Sequence, residues 1–165
     1  MNTTKKILVV DDDIDVISIV KTILENENFQ IITATGKEEA VKLALKEKPD
    51  LAICDVMMST HYEGFELAKE LVTNPEFKGM PVLMQTSINV FTSSDADTMR
   101  FARNYRTEMG NSDLDVLLVQ NDTNKSAGID YKDADGAIIW VPINGFIPKP
   151  VKAQALLENV NRVLN

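Results

Sequence analysis

Two groups of aspartates stand at the ends of apolar runs. Asp11, Asp12 and Asp13 follow Ile7-Leu-Val-Val, and Asp55 follows Leu51-Ala-Ile-Cys. Both runs are continuously apolar rather than alternating, as strands buried on both faces of a parallel sheet are. In such sheets functional groups collect just beyond the carboxyl ends of the strands. The sequence therefore predicts at least three carboxylates around one crevice. Such a cluster is electrostatically costly: two unit charges about 4 Å apart repel by about 1 kcal/mol in water and about 4 kcal/mol near a protein surface. It must take up protons or bind a cation. Hard oxygen donors point to magnesium, or manganese in its place.

The elements that must position these acids alternate along the chain. Strands are predicted over 7–10, 29–34, 51–54, 82–86 and 144–148. Helices are predicted over 14–27, 37–47, 65–72 and 152–164, each with apolar residues at helical spacing. Thr35 is the expected cap of the second helix, with Glu38 three residues on. Alternation of this kind means βαβ units, hence an α/β, doubly wound, five-stranded parallel sheet of the flavodoxin-like kind. The stretch from 88 to 143 breaks the rhythm. It carries a helix pattern over 95–109 and β patterns over 114–120 and 137–141, with a polar, turn-rich stretch over 121–136 between them. The expectation is a β-rich, hairpin-like insertion of roughly 90–142 between the fourth and fifth strands.

The 165 residues suit a single domain. A net charge of -8 argues against direct binding of nucleic acid, which needs a basic face. The one cysteine, Cys54, lies inside an apolar run and reads as an inert buried thiol, so no intrachain disulfide forms. Four apolar residues after Lys5-Lys6 are too few for a signal peptide, and no stretch is long enough to span a membrane. A cytoplasmic protein is expected.

Ile7-Leu-Val-Val-Asp11-Asp12, Asp55, Thr86 and Lys149-Pro150, in that order and at strand ends, resemble the receiver domain of bacterial response regulators. The resemblance spans residues 5–87 and 143–165. It implies that Asp55 is the phosphoacceptor, taking a phosphoryl group from a sensor histidine kinase or a histidine phosphotransfer protein to form an acyl phosphate. It implies that Asp11, Asp12, Asp55 and the backbone carbonyl of Met57 hold magnesium, and that catalysis is mostly positioning and electrostatics. Thr86 and Lys149 would contact the phosphoryl oxygens. Phe146 stands where the family carries an aromatic switch residue, with a plain core phenylalanine as the alternative. The Lys149–Pro150 step is one the family forms in cis. Asp13 reads instead as the start of the first helix. A receiver is no enzyme beyond its own phosphotransfer and autodephosphorylation.

The chain also departs from the family. Ser59 stands where a proline is usual, and Gly64 comes one residue later than usual. Apolar Met57 and Ile88 stand where polar side chains orient water, which predicts slow loss of the phosphoryl group. Between Thr86 and Lys149 lie 62 residues, roughly three times the family's usual gap. The extra segment is read as a partner-binding device, a dimer arm or a decoration, and homodimerisation stays open. Its Asp130–Gly136 run is not a calcium loop, since the first and last ligand positions would be Tyr131 and Pro142. Trp140, Ile138 and Ile139 are expected to pack on the domain or face a partner, and His61 to be an exposed loop residue.

Three functions compete. The first is a stand-alone receiver with no output domain, signalling by phosphorylation-dependent protein contact or relay to an unknown downstream protein. The second is a pseudo-receiver that binds through its insertion without phosphorylation. The third is a phosphatase of the haloacid dehalogenase type, using Asp11 with Asp13 two residues on; in it the expected hydroxyl residue would be Asp15.

Overall fold

The computed structural model describes residues 4–58, 62–108 and 115–165. Ser59, His61, Met109 and Leu114, which the sequence reading touched, lie outside them. The apolar runs form strands. β1 (Lys6–Val10), β2 (Gln30–Ala34), β3 (Leu51–Asp55), β4 (Val82–Thr86) and a last strand, β9 (Gly145–Pro148), make one parallel sheet in the order β2-β1-β3-β4-β9. Because both faces are covered, alternate residues of a strand enter two separate cores. Ile7, Val9, Ile53, Leu83 and Ile147 pack with Ile17 and Val20 of α1 (Ile14–Glu25) and with Leu156 and Val160 of α5 (Ala153–Leu164). Leu8, Val10, Cys54 and Met84 face the other way, onto α2 (Lys37–Glu47) and α3 (Glu63–Thr73). Cys54 is buried there, and burial pushes its thiol well above the ordinary value, so it stays an inert thiol.

Two local expectations change. The cap of α2 is Gly36 rather than Thr35, and Glu39, not Glu38, reaches back, its carboxylate accepting from the Thr35 N–H at 2.9 Å. Asp13 does cap α1, accepting from the Asp15 N–H at 2.9 Å.

The insertion is larger than a hairpin. β5 (Val90–Ser93), β6 (Val116–Asn121), β7 (Ala127–Lys132) and β8 (Ile138–Ile143) form a second, four-stranded sheet in the order β5-β6-β7-β8. β5 runs parallel to β6, and the other pairs are antiparallel. The polar stretch read as turn between two β segments thus holds β7, and β5 was not foreseen. One face of this sheet, carrying Leu118, Ile129, Tyr131, Val141 and Ile143, joins the core shared by Phe65 of α3, Met84 and Phe146. The Tyr131 ring stacks on Phe65 at 5.1 Å and its hydroxyl donates to Glu66 at 3.1 Å. The opposite face, with Leu117, Val119 and Trp140, is covered by Phe101, Ala102 and Tyr105 of α4 (Thr98–Glu108). Trp140 therefore packs on the domain. It does so because Gly128 faces it across the β7–β8 pair; a Cβ there would lie 2.2 Å from the indole.

Asp130 points to the same face. It is fully buried and paired with two α4 arginines: Arg106 bonds its Oδ1, and Arg103 Nε lies 2.9 Å from Oδ2. Asp130 and Tyr131 belong to β7 and Pro142 to β8, so only residues 133–137 lie between the strands, too few for a twelve-residue calcium loop.

Candidate functional site

The parallel register sets the acids side by side. Val10 is level with Cys54, so Asp11 and Asp55 leave adjacent strands at the same height. Asp11 is fully buried, Asp55 nearly so, and Asp12 is exposed. Each of the three offers an oxygen, and these oxygens lie within 4.8 Å of one another. Asp13 is turned away as the α1 cap. Asp11, Asp12 and Asp55 are the only such acidic group among the described residues. That argues against the phosphatase arrangement, whose second acid would be Asp13.

Lys149 reaches the cluster from the far side of the sheet. Its Nζ donates to Asp11 Oδ2 at 2.9 Å and to Asp55 Oδ1 at 3.0 Å. Asp11 Oδ1 also accepts from the Asp13 N–H at 2.9 Å, and Asp55 Oδ1 from the Met57 N–H at 3.3 Å. The Lys149–Pro150 peptide is cis. Thr86, at the end of β4, is buried; its hydroxyl oxygen accepts from the Ile88 N–H at 2.8 Å. Phe146 lies in the core beneath the inserted sheet, 5% exposed. Met57 is 40% exposed beside Asp55. A cavity of about 360 Å³ opens between the two sheets, walled by Thr86, Ile88, Val90, Gln120, Phe146 and Lys149.

Gly64 sets how closely the start of α3 approaches Asp55 and Val56. A Cβ at Gly64 would sit 2.1 Å from the Val56 carbonyl oxygen and 2.5 Å from that of Asp55, so only glycine lets the start of α3 come this close.

The electrostatics follow from this crowding. Burial first, and then the charge of Asp11, push the Asp55 carboxyl up to about 6; the bond and charge of Lys149 and the Met57 N–H pull against them. For Lys149 burial opposes the charged form, but the bonds and charges of Asp11 and Asp55 together outweigh it and hold its pKa above the ordinary value. A folded-state value above the unfolded one gives stability that is complete below about 4, the unfolded aspartate value, and lost as pH rises through about 6. Asp55→Asn is accordingly expected to stabilise the metal-free protein at pH 8 by about 1–2 kcal/mol after solvent screening. The gain should shrink as pH falls through about 6 and vanish below about 4. Thermal melts in chelator across that range check it, and a constant gain at all pH values would remove charge as the cause.

The acidic group suits a small hard cation. Oxygens around magnesium stand about 3–4 Å apart, at about 2.1 Å from the ion, so carboxylates already within 4.8 Å need only a small shift. The exposed Asp12 leaves the mouth open to the waters that magnesium keeps.

The response regulator receiver domain family matches residues 7–102, more than half of the chain, and the chain belongs to that family. It is 41% identical over 83 residues to the alkaline phosphatase synthesis transcriptional regulatory protein PhoP of Bacillus subtilis, covering 50% of this chain and 33% of that protein. It is 29% identical over 103 residues to the protein PilH of Pseudomonas aeruginosa, covering 62% of this chain and 84% of that protein. The chain spans about a third of the length of the first curated relatives it matches. The chemotaxis response regulator CheY4 of Vibrio cholerae superposes with a TM-score of 0.64 at 24% identity, covering 98% of this chain and 100% of that one. A response regulator from Chloroflexus aurantiacus gives 0.62 at 21% identity, with 98% of each chain covered. Receivers belong to two-component signalling, are phosphorylated by histidine kinases or phosphotransfer proteins, and bind magnesium at an aspartate cluster. They are not enzymes in the ordinary sense. Among the described residues no helix is long and apolar enough to cross a membrane.

Gln85 was missed by the sequence reading. Its signal is a polar residue inside the apolar run Val82–Thr86.

Proposed function

We propose that this chain is a phosphoacceptor receiver that takes a phosphoryl group onto Asp55 from a histidine kinase or a histidine phosphotransfer protein, in the cytoplasm. One observation carries the reading: Asp55 ends β3 as a buried carboxylate, 3.0 Å from Lys149 Nζ and clustered with Asp11 and Asp12. An Asp55 oxygen forms the new P–O bond as the P–N bond of phosphohistidine breaks, and the electron pair leaves with the imidazole. Asp11, Asp12, Asp55 and the Met57 carbonyl would hold magnesium, which would neutralise charge at the phosphoryl oxygens. Lys149, 3.0 Å from Asp55 Oδ1, would bring a second positive charge to those oxygens. Thr86 gives the output. If its hydroxyl turns to the phosphoryl group, the Ile88 N–H loses its acceptor. Only Ser87, Ile88 and Asn89 separate Thr86 from β5, the edge strand of the inserted sheet. Phosphorylation then reaches the insertion directly, and Phe146, enclosed beneath that sheet, moves with it.

The enclosure of Phe146 also favours a second reading, in which the insertion binds its partner whether or not Asp55 is modified. Purified protein mixed with acetyl phosphate and magnesium, and weighed intact beside Asp55→Asn, separates the two. A gain of one phosphoryl group that requires magnesium and is absent in the variant supports the receiver; no gain supports the second reading. Met57 and Ile88 offer no polar group to orient an attacking water, so the phosphoryl group is expected to survive for minutes or longer, and decay within seconds counts against that part.

A further inference from the structure

Gln85 is fully buried on β4, and neither its amide nitrogen nor its amide oxygen meets a hydrogen-bond partner among the described residues. For stability alone an apolar side chain would serve better there, since a buried polar group without a partner is destabilising. The position is beside the chemistry. Gln85 is level with Asp55 on β3 and with Ile147 on β9. Neighbouring strands run about 4.8 Å apart, and residues at one height share a face, so the Gln85 and Asp55 side chains leave adjacent strands on the same, α1/α5 side. Lys149 lies one pleat beyond Ile147 on that side. Its Nζ crosses β4 to reach Asp55 and Asp11.

We propose that Gln85 is a positioning residue for Asp55: its amide N–H takes hold of the Asp55 carboxyl group when Lys149 turns from Asp55 to the phosphoryl group. The inference rests on Asp55 being the phosphoacceptor. In the free protein Lys149 fixes Asp55 Oδ1 at 3.0 Å. During transfer one Asp55 oxygen becomes the bridging oxygen of the acyl phosphate and the other a neutral carbonyl, while the ammonium is drawn to the phosphoryl oxygens. A neutral N–H from inside the sheet matches a neutral carbonyl and would add to the Met57 N–H, which already donates to Asp55 Oδ1 at 3.3 Å.

Gln85→Met, of similar length but without a donor, tests this. The unphosphorylated variant is expected to melt at or above the wild-type temperature. With acetyl phosphate and magnesium its maximal phosphorylation rate falls about tenfold, while the half-saturating acetyl phosphate concentration stays within about twofold. In the wild type, the Gln85 side-chain amide resonances shift when magnesium and fluoroberyllate, a phosphoryl mimic, are added together, and not with magnesium alone. Wild-type rate in Gln85→Met, a lowered melting temperature with both kinetic constants changed, or unmoved amide resonances each overturn the role of Gln85 and leave Asp55 as phosphoacceptor. A wild-type protein that takes up no phosphoryl group overturns both.

Discussion

Asp130→Ala is expected to destabilise the fold by about 3–5 kcal/mol, a fall of about 10 °C in melting temperature for a chain of this size. Asp130 pairs with both Arg106 and Arg103 and is itself fully buried. Arg106 is 5% exposed, so removing the carboxylate takes a buried counter-charge away from a guanidinium between α4 and the inserted sheet. Arg106 Nη2 also donates to the Asp130 carbonyl at 3.0 Å, which ties the helix to the backbone of β7. The loss reaches the whole domain. Tyr131, the next residue, stacks on Phe65 in the core of the parallel sheet, so α4, the inserted sheet and α3 melt together. The large figure is the penalty of leaving a buried guanidinium without its carboxylate, not the net worth of the pair. An Asp130→Leu, Arg106→Met double variant should therefore recover most of the loss. Denaturant melts of the three proteins decide it: a single variant within about 1 kcal/mol of wild type would mean that water reaches Arg106.

The same residues explain how much of the fold was legible. The parallel sheet was read from its apolar strands because Ile7–Val10, Leu51–Cys54 and Val82–Thr86 are buried on both faces and need no partner elsewhere in sequence to identify them. The carboxylate site followed, since strand ends fix where Asp11 and Asp55 go. β7 was hidden because its sequence, Ala-Gly-Ile-Asp-Tyr-Lys, carries a glycine and an aspartate that strands disfavour. Each is there for a distant partner: Gly128 for the Trp140 ring, Asp130 for arginines on α4 more than twenty residues earlier. β5 was hidden because it is a four-residue edge strand whose ladder partner, β6, lies beyond a helix. Gln85 was passed over because only the register places it beside Asp55.

Lys149→Met is expected to make the stability of the protein depend on magnesium. In the wild type one ammonium answers two buried carboxylates, Asp11 at 2.9 Å and Asp55 at 3.0 Å. Without it, only the Asp13 and Met57 N–H groups work against burial and mutual repulsion of the two acids. In chelator at pH 8 the variant should lose about 3 kcal/mol, the low end for a buried pair because Lys149 is 20% exposed. The sign of the pH dependence follows from Asp55. Its carboxyl is already pushed up to about 6 by burial and Asp11, against the pull of Lys149. Removing that pull raises it further, so the deficit is large above about 7 and shrinks as the pH falls and the carboxyl takes a proton. Magnesium should repair the loss, adding about 2.7 kcal/mol at a hundred times its dissociation constant. The wild type should gain less from the ion, because there it competes with Lys149 for the same oxygens. Phosphorylation should not recover with stability. With magnesium saturating, the rate from acetyl phosphate is expected to remain about a hundredfold or more below wild type, since the ammonium that would meet the transferring oxygens is gone. Melts with and without magnesium, beside intact-mass rates, separate the two roles. A variant as stable as wild type in chelator at pH 8 would show that the carboxylates balance their charge without Lys149. A wild-type rate would show that the ammonium serves the free state alone.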